Sequence, residues 1–306
     1  MSYDALVATP DLSFVSYVAA RKGAASVRSR EGAAYAYAGD LKVRQALDKI
    51  RPVTLAVEAA VRFWQTVERS KMLGTSVKVT EKQFPKLHRL SLQCAETLRI
   101  SAPTLYVSPN IGSLNAHTFG TSDEAYVVVN AALVDHLSDI ELLDVIGHEC
   151  GHIQNDHAVY LTTLFFLNNM GGALLQWGAR PAVLALKAWA RRAEITCDRT
   201  GLLCTRNLDA SIGCLVKLAI GSKKLYSEIN LEEYLQQLDE ARGPGRLDEL
   251  GRTHPYLPKR VAALRLFAQT TYFKSMIKNA DDATPVEGIS KEACDAEVAK
   301  ILAVFG

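Results

Sequence analysis

The sequence predicts an α+β, mostly helical chain in which a small, mostly antiparallel sheet leads into two helices that face one another with metal-binding side chains. Three observations carry this expectation. His148-Glu149-Cys150-Gly151-His152 lies inside a helical run from Ile140 to His157. Glu194 and Asp198 stand one helical turn apart in a second run. Three short strand-like stretches, Thr104 to Ser108, Leu114 to Phe119 and Ala125 to Asn130, precede both and are separated by turn formers.

From the N-terminus, alanine-rich segments predict helices over Leu12 to Arg28, Ala33 to Ile50 and Val53 to Met72. Arg51-Pro52 parts the last two, because the residue before proline is pushed out of the helical region. Val57, Ala60, Val61, Trp64 and Val67 recur at helical spacing, so the third segment should pack on the body of the protein. Val77 to Val79 is a short extended piece. Gln83 to Arg99 follows as an amphipathic helix with Phe84, Leu87, Leu90, Cys94 and Leu98 on one face, Pro85 being tolerated in its first turn. The three strands come next, joined through Pro109-Asn110-Ile111-Gly112 and Gly120-Thr121-Ser122-Asp123.

Ser138 and Glu141 then form an S-x-x-E helix start. In the helix they open, His148 and His152 share a face one turn apart, so both imidazoles can reach one ion with Glu149 beside it. That is the geometry of a zinc hydrolase, and a short sheet leading into it is the arrangement of a zincin. His157 follows His152 by five positions and Asn155 stands between them, a spacing that excludes the H-E-x-x-H-x-x-G-x-x-H pattern. The third ligand is therefore expected downstream. Ala182 to Thr205 reads as a helix opened by Pro181, and Glu194 on it completes a His148, His152, Glu194 set. A catalytic zinc takes three such ligands and keeps a position for water. Asp198, a turn beyond, can accept the outer N–H of a ligating histidine, and the small residues Ala190, Ala193, Cys197 and Gly201 let the two helices approach.

The stretch between the metal helices, Ala158 to Ala179, is apolar and long enough for a membrane span, but Asn168, Asn169, Gly171, Gly172 and Gln176 interrupt it and favour a buried helix or lid. Ala210 to Leu218 and Leu231 to Ala241 are helical, and Arg242-Gly243-Pro244-Gly245-Arg246 breaks the pattern. His254-Pro255 and Arg260 follow, and Ile289 to Phe305 is a last helix with an apolar face for docking. These shifts divide the chain into an N-terminal helical region (1–73), a central domain (74–267) and a C-terminal helical extension (268–306).

Asn115-Ala116 with Gly120, His148-Glu149-x-x-His152 with His157, Glu194-x-x-x-Asp198-Arg199, and His254-Pro255 with Arg260 occur in one order. Through these motifs the chain resembles the zinc endopeptidases that include HtpX and the CAAX prenyl proteases, over about Gly74 to Phe267. His117 and Cys197 depart from that pattern. The resemblance implies that His254 either donates to the oxyanion of a tetrahedral intermediate or occupies the open zinc position in a closed state. It also implies that Arg260 orients substrate or transition state, unless it pairs with Asp198. Leu114, Asn115 and Ala116 become the candidate edge that receives an extended peptide; the alternative for Asn115 is closing its own turn.

Composition is that of an ordinary globular protein, 48% hydrophobic and 22% charged with a net charge of +2, and no basic run interleaved with aromatics supports nucleic-acid binding. The N-terminus lacks a charged stretch followed by an apolar one, so cytoplasmic residence is expected. Six cysteines without a C-x-x-C pair read as reduced thiols; Cys150 and Cys197 lie close enough to the metal helices for oxidation to inactivate the protein. The expected activity is zinc-dependent endopeptidase action on peptides or unfolded proteins with Glu149 as general base, since no motif for capturing a substrate's free amine is present. A membrane-associated quality-control or prenyl-processing protease, and a latched zinc protein with a binding or chaperone-like role, remain as alternatives.

Overall fold

The computed structural model describes residues 33–47, 69–109, 114–120, 125–169, 173–240, 248–278 and 284–303, with 49, 57, 60, 63, 64, 67 and 112. The expected helix over Leu12 to Arg28 lies outside these residues. Among them, the first helices are α1 (Ala38–Leu47) and α2 (Arg69–Thr75), followed by strand β1 (Val77–Lys78) and α3 (Pro85–Leu98), which has a proline in its first turn as expected. Strands β2 (Thr104–Ser108), β3 (Ala116–Gly120) and β4 (Ala125–Asn130) complete a four-stranded sheet in the order β1-β2-β4-β3.

The sheet is mixed. β1 runs antiparallel to β2 and β3 antiparallel to β4, but β2 and β4 are parallel, with Thr104 opposite Tyr126 and Ser108 opposite Asn130. The chain passes from β2 to the far edge before returning, so β4 falls between them. Alternation of side chains sets which face a strand buries; it does not set strand order. β3 is consequently an edge strand, and it starts at Ala116 rather than at Leu114.

Helix α4 (Ala131–His136) leads to α5 (Asp139–Gln154), whose buried Leu142, Val145, Ile146 and Cys150 join the main core with Val127 and Val129 of β4. Two helices follow, α6 (Ala158–Asn169) and α7 (Ala173–Thr205). The apolar run is thus shared between two helices, and no described helix is long and apolar enough to cross a membrane. Pro181 lies inside α7 rather than at its start. Helical propensity on both sides carries α7 through the proline, whose missing N–H costs one bond in a helix of 33 residues.

α5 and α7 meet closely because glycine faces the contact. A Cβ on Gly147 would come within 3.2 Å of the Gly201 Cα, and one on Gly151 within 3.2 Å of the Cys197 Cα. This proximity brings His148 and His152 up to Glu194. Beyond α7, α8 (Leu208–Ile220), α9 (Lys223–Tyr226) and α10 (Leu231–Glu240) lead to a short 3₁₀ turn (Glu249–Gly251), then α11 (Leu257–Ala268), α12 (Thr271–Ile277) and α13 (Lys291–Leu302). Both ends of the described chain converge on α7. Arg199 donates to the Tyr35 carbonyl at 3.0 Å and pairs with Asp295 of α13 at 2.7 Å.

The start of α5 is fixed by Glu141. Its Oε2 accepts from the Ser138 backbone N–H at 2.9 Å and from the Ser138 hydroxyl at 2.8 Å, and its Oε1 accepts from Lys217 of α8 at 2.6 Å. Burial would raise the Glu141 pKa, but Lys217 and Ser138 hold it below its ordinary value. Ionised Glu141 thus stabilises the fold above the usual glutamate range, and the contribution fades as pH falls through the depressed pKa. Glu141→Gln is expected to cost about 1 kcal/mol at pH 7 in urea unfolding. The gap from wild type should narrow in acid; a gap independent of pH would place the effect elsewhere.

Candidate metal centre

Helices α5 and α7 set three polar side chains around one point. Glu194 Oε2 lies 3.5 Å from His148 Nε2, and Glu194 Oε1 lies 3.5 Å from His152 Nε2. Ligand atoms held about 2.0–2.1 Å from one tetrahedral ion stand about 3.3–3.4 Å apart, so this spacing suits zinc. Glu194 is 4% exposed, and its Oε2 accepts no hydrogen bond. An orphaned carboxylate oxygen at this depth is costly, and a cation between it and the two imidazoles would satisfy it. The residues therefore fit a zinc ion.

Cys197 competes for the third position, since its Sγ can be grouped with donor atoms of His148 and His152 all within 4.8 Å. The hydrogen-bond pattern favours Glu194. Cys197 Sγ lies 3.7 Å from His157 Nδ1, on the side of His152 that turns its Nδ1 away from Glu194. Burial, reinforced by Glu194 and Asp40, pushes the Cys197 thiol well above its ordinary pKa, so with no ion beside it the group stays a neutral thiol. Cys150 is fully buried as well. Burial of both thiols limits an oxidant's access to them.

Each histidine has an outer partner. Asp198 Oδ1 lies 3.2 Å from His148 Nδ1, as the spacing along α7 predicts, and His157 Nδ1 lies 3.1 Å from His152 Nδ1. Burial alone would lower the His148 pKa, but Glu194 and Asp198 hold it up at about 9. Binding an ion there displaces a proton. Burial would raise the Glu194 pKa, yet His254, His148 and Arg260 keep it well below its ordinary value.

Arg260 of α11 reaches in from the far side. Its Nε donates to Asp198 Oδ2 at 2.9 Å and its Nη2 to Asp198 Oδ1 at 2.5 Å, with Glu194 Oε2 3.3 Å away. The ion pair with Asp198, the alternative to a substrate-orienting role, is thus present. His254 is more open, 60% exposed, yet its Nε2 lies 3.4 Å from Glu194 Oε2, and Thr253 Oγ1 lies 2.8 Å from its Nδ1.

Glu149 is 5% exposed, and Thr118 of β3 donates its hydroxyl to Glu149 Oε2 at 2.6 Å. The sequence reading missed Thr118, whose only signal was its place two residues after Ala116 on the same face of a strand. A cleft of about 700 Å³ is lined by His148, Glu149, Glu194 and Arg260 together with Leu114, Asn115, Ala116, Thr253 and His254. The Asn115 carbonyl accepts from the Asn130 N–H at 3.0 Å, so Asn115 continues the pairing of the edge strand with β4.

The model of the family described as peptidase family M48 matches residues 81–268. The chain belongs to peptidase family M48. Among its relatives is the plastoglobule-localized metallopeptidase 48, chloroplastic, of Arabidopsis thaliana, 31% identical over 232 residues that cover 71% of this chain and 67% of that protein. A protease HtpX homolog of Streptococcus gordonii is 23% identical over 247 residues (68% of this chain, 82% of the relative). Another from Kineococcus radiotolerans is 25% identical over 244 residues, covering 69% and 82%. The M48 match spans α5, α7 and α11, the three helices that supply the residues around Glu194, and stops short of α1 and α13.

Asp198 is buried and Arg260 largely so, and losing Arg260 strands the carboxylate. Arg260→Leu should destabilise the metal-free M48 chain by about 3 kcal/mol in chemical denaturation. A loss below about 1 kcal/mol would mean that Asp198 finds other partners.

Proposed function

We propose that this M48 chain is a zinc-dependent endopeptidase acting on extended segments of peptides or unfolded proteins. The carrying observation is that Glu149 lines the same cleft as His148 and Glu194, with one carboxylate oxygen engaged by Thr118. Zinc, when bound, would act as a Lewis acid that acidifies its water and polarises the scissile carbonyl. Glu149 takes the proton of the attacking water and returns it to the leaving nitrogen. Because Oε2 accepts from Thr118, Oε1 is the oxygen left for that exchange. His254, which lines the same cleft, donates to the developing oxyanion. Arg260 acts through Asp198 and Glu194, holding both in register.

The edge strand supports extended substrates. In the antiparallel register of β3 with β4, pairing at Asn115 and Asn130 turns the backbone groups of Ala116 and Thr118 away from β4. The outward groups at Gly120 are met by Thr162 of α6, whose hydroxyl lies 3.1 Å from the Gly120 nitrogen and 3.2 Å from its carbonyl oxygen. The strand is thus closed at one end and open at the end nearest Glu149, which suits addition of a short peptide strand.

A second reading, the latched state, is favoured by one distance. His254 Nε2 stands as close to Glu194 Oε2, 3.4 Å, as His148 Nε2 does at 3.5 Å. The Thr253 hydroxyl decides between the roles: donating to Nδ1 it leaves a proton on Nε2 for an oxyanion, and accepting from Nδ1 it frees Nε2 as a ligand. His254→Ala separates them, because faster cleavage indicates a latch and slower cleavage indicates oxyanion stabilisation.

With casein and a peptide library as substrates, Glu149→Gln should keep one zinc per chain and lose turnover by about 100- to 10,000-fold. Thr118→Val should lower kcat about tenfold at unchanged KM and zinc content, with Thr118→Ser restoring most of it. Full activity in Glu149→Gln would require a different base.

A further inference from the structure

His152 is tied to a segment that lies outside the M48 match. At the end of α5, Asp156 adopts a left-handed conformation (φ 64°), and the His157 N–H then bonds to the His152 carbonyl at 2.8 Å. Aspartate tolerates that conformation better than most residues. The turn folds the His157 ring back against His152. Asn155, in the same turn, donates through its side chain to the Gly151 carbonyl and the Tyr35 hydroxyl, both at 2.9 Å, and its own carbonyl accepts from Arg44 of α1 at 2.5 Å. Residues of the 33–47 segment therefore grip the turn that carries His157.

Donor and acceptor counting then fixes every proton in the chain of contacts. A histidine that holds a metal through Nε2 presents a lone pair there and keeps its proton on Nδ1. His152 Nδ1–H points at His157 Nδ1, 3.1 Å away, so His157 Nδ1 must be the acceptor and its proton must reside on Nε2. His157 Nε2 lies 3.0 Å from Asp40 Oδ2, which accepts it. Asp40 is held by two further donors, since Oδ1 accepts from Trp189 Nε1 at 2.9 Å and Oδ2 from the Thr196 hydroxyl at 2.7 Å. His157 is 1% exposed and Asp40 3%, so no solvent competes with these bonds.

We propose that Asp40 and His157 are positioning residues that orient the metal ligand His152 through an Asp40–His157–His152 relay, so that docking of the 33–47 segment and retention of the metal are coupled. The inference rests on the zinc reading of the site. It makes the two ligating histidines unlike in their support: His148 is held from within the matched domain by Asp198, and His152 from outside it by Asp40. Support of this kind changes metal affinity by about 10- to 100-fold when removed.

Asp40→Asn tests the relay with nearly unchanged shape. Either orientation of the amide removes the charged acceptor: with its oxygen at the Oδ1 position the N–H₂ group opposes His157 Nε2–H, and with its oxygen at Oδ2 His157 keeps only a neutral acceptor while N–H₂ opposes Trp189 Nε1–H. In the full chain, competition against a zinc-chelating dye should show zinc held about 10- to 100-fold more weakly by Asp40→Asn than by wild type. The metal-free melting temperatures of the two proteins are compared alongside. Equal zinc affinity in a folded variant, whatever its melting temperature, overturns the relay. Wild type that takes up no zinc overturns the zinc reading itself, and the relay with it. If Asp40→Asn fails to fold, the wild-type protein decides: in the zinc-loaded chain with ¹⁵N-labelled histidine, long-range ¹H–¹⁵N spectra should show His157 protonated on Nε2 and His152 on Nδ1. A His157 protonated on Nδ1 contradicts the proposal.

Discussion

One buried carboxylate sets the conditions for the rest of this structure. Glu194 sits on α7, the longest described helix, with an oxygen that accepts no hydrogen bond and is ringed by His148, His254 and Arg260. An ionised carboxylate in that position is tolerable only when opposite charge is held close around it. The glycines of α5, the pairing of Arg260 with Asp198 and the closeness of His254 all serve that requirement. The fold brings cationic and imidazole groups to Glu194 from two helices and a loop, and the remaining unsatisfied oxygen is where a zinc ion would complete the balance.

The same geometry separates binding from chemistry. Glu149 neighbours the cluster but turns to β3, where Thr118 holds it, while His148 and His152 turn to Glu194. One helical turn thus serves two purposes, because successive residues on a helix leave it in different directions. The sheet contributes its edge as well as its mass. β3 presents Thr118 to Glu149 and keeps its outer backbone groups beside the cleft, with Thr162 blunting the strand beyond.

What was legible in the sequence is what depends on short spacing. The start of α5, the shared face of His148 and His152, and the reach from Glu194 to Asp198 are properties of a helix and follow from numbering alone. The approach of α5 to α7 was legible too, in the small residues along both. Contacts between distant segments were not. Asp40 was one acidic residue in an alanine-rich helix, and nothing in its neighbourhood marks it as the partner of His157. Strand order escaped for a related reason, since β2 and β4 each bury both faces of their central residues and either could have neighboured β3. Pro181 misled because proline is favoured in a first turn, whereas here the helix forms on both sides of it.

The central claim is that Glu194, rather than Cys197, stands with His148 and His152 around the metal. X-ray absorption of the zinc-loaded protein measures it most directly, because sulfur scatters at a longer distance than nitrogen or oxygen. The account predicts a first shell of nitrogen and oxygen atoms alone, at about 2.0–2.1 Å, with an imidazole contribution from two or three rings. A sulfur shell at about 2.3 Å would contradict it and would put Cys197 in the ligand set.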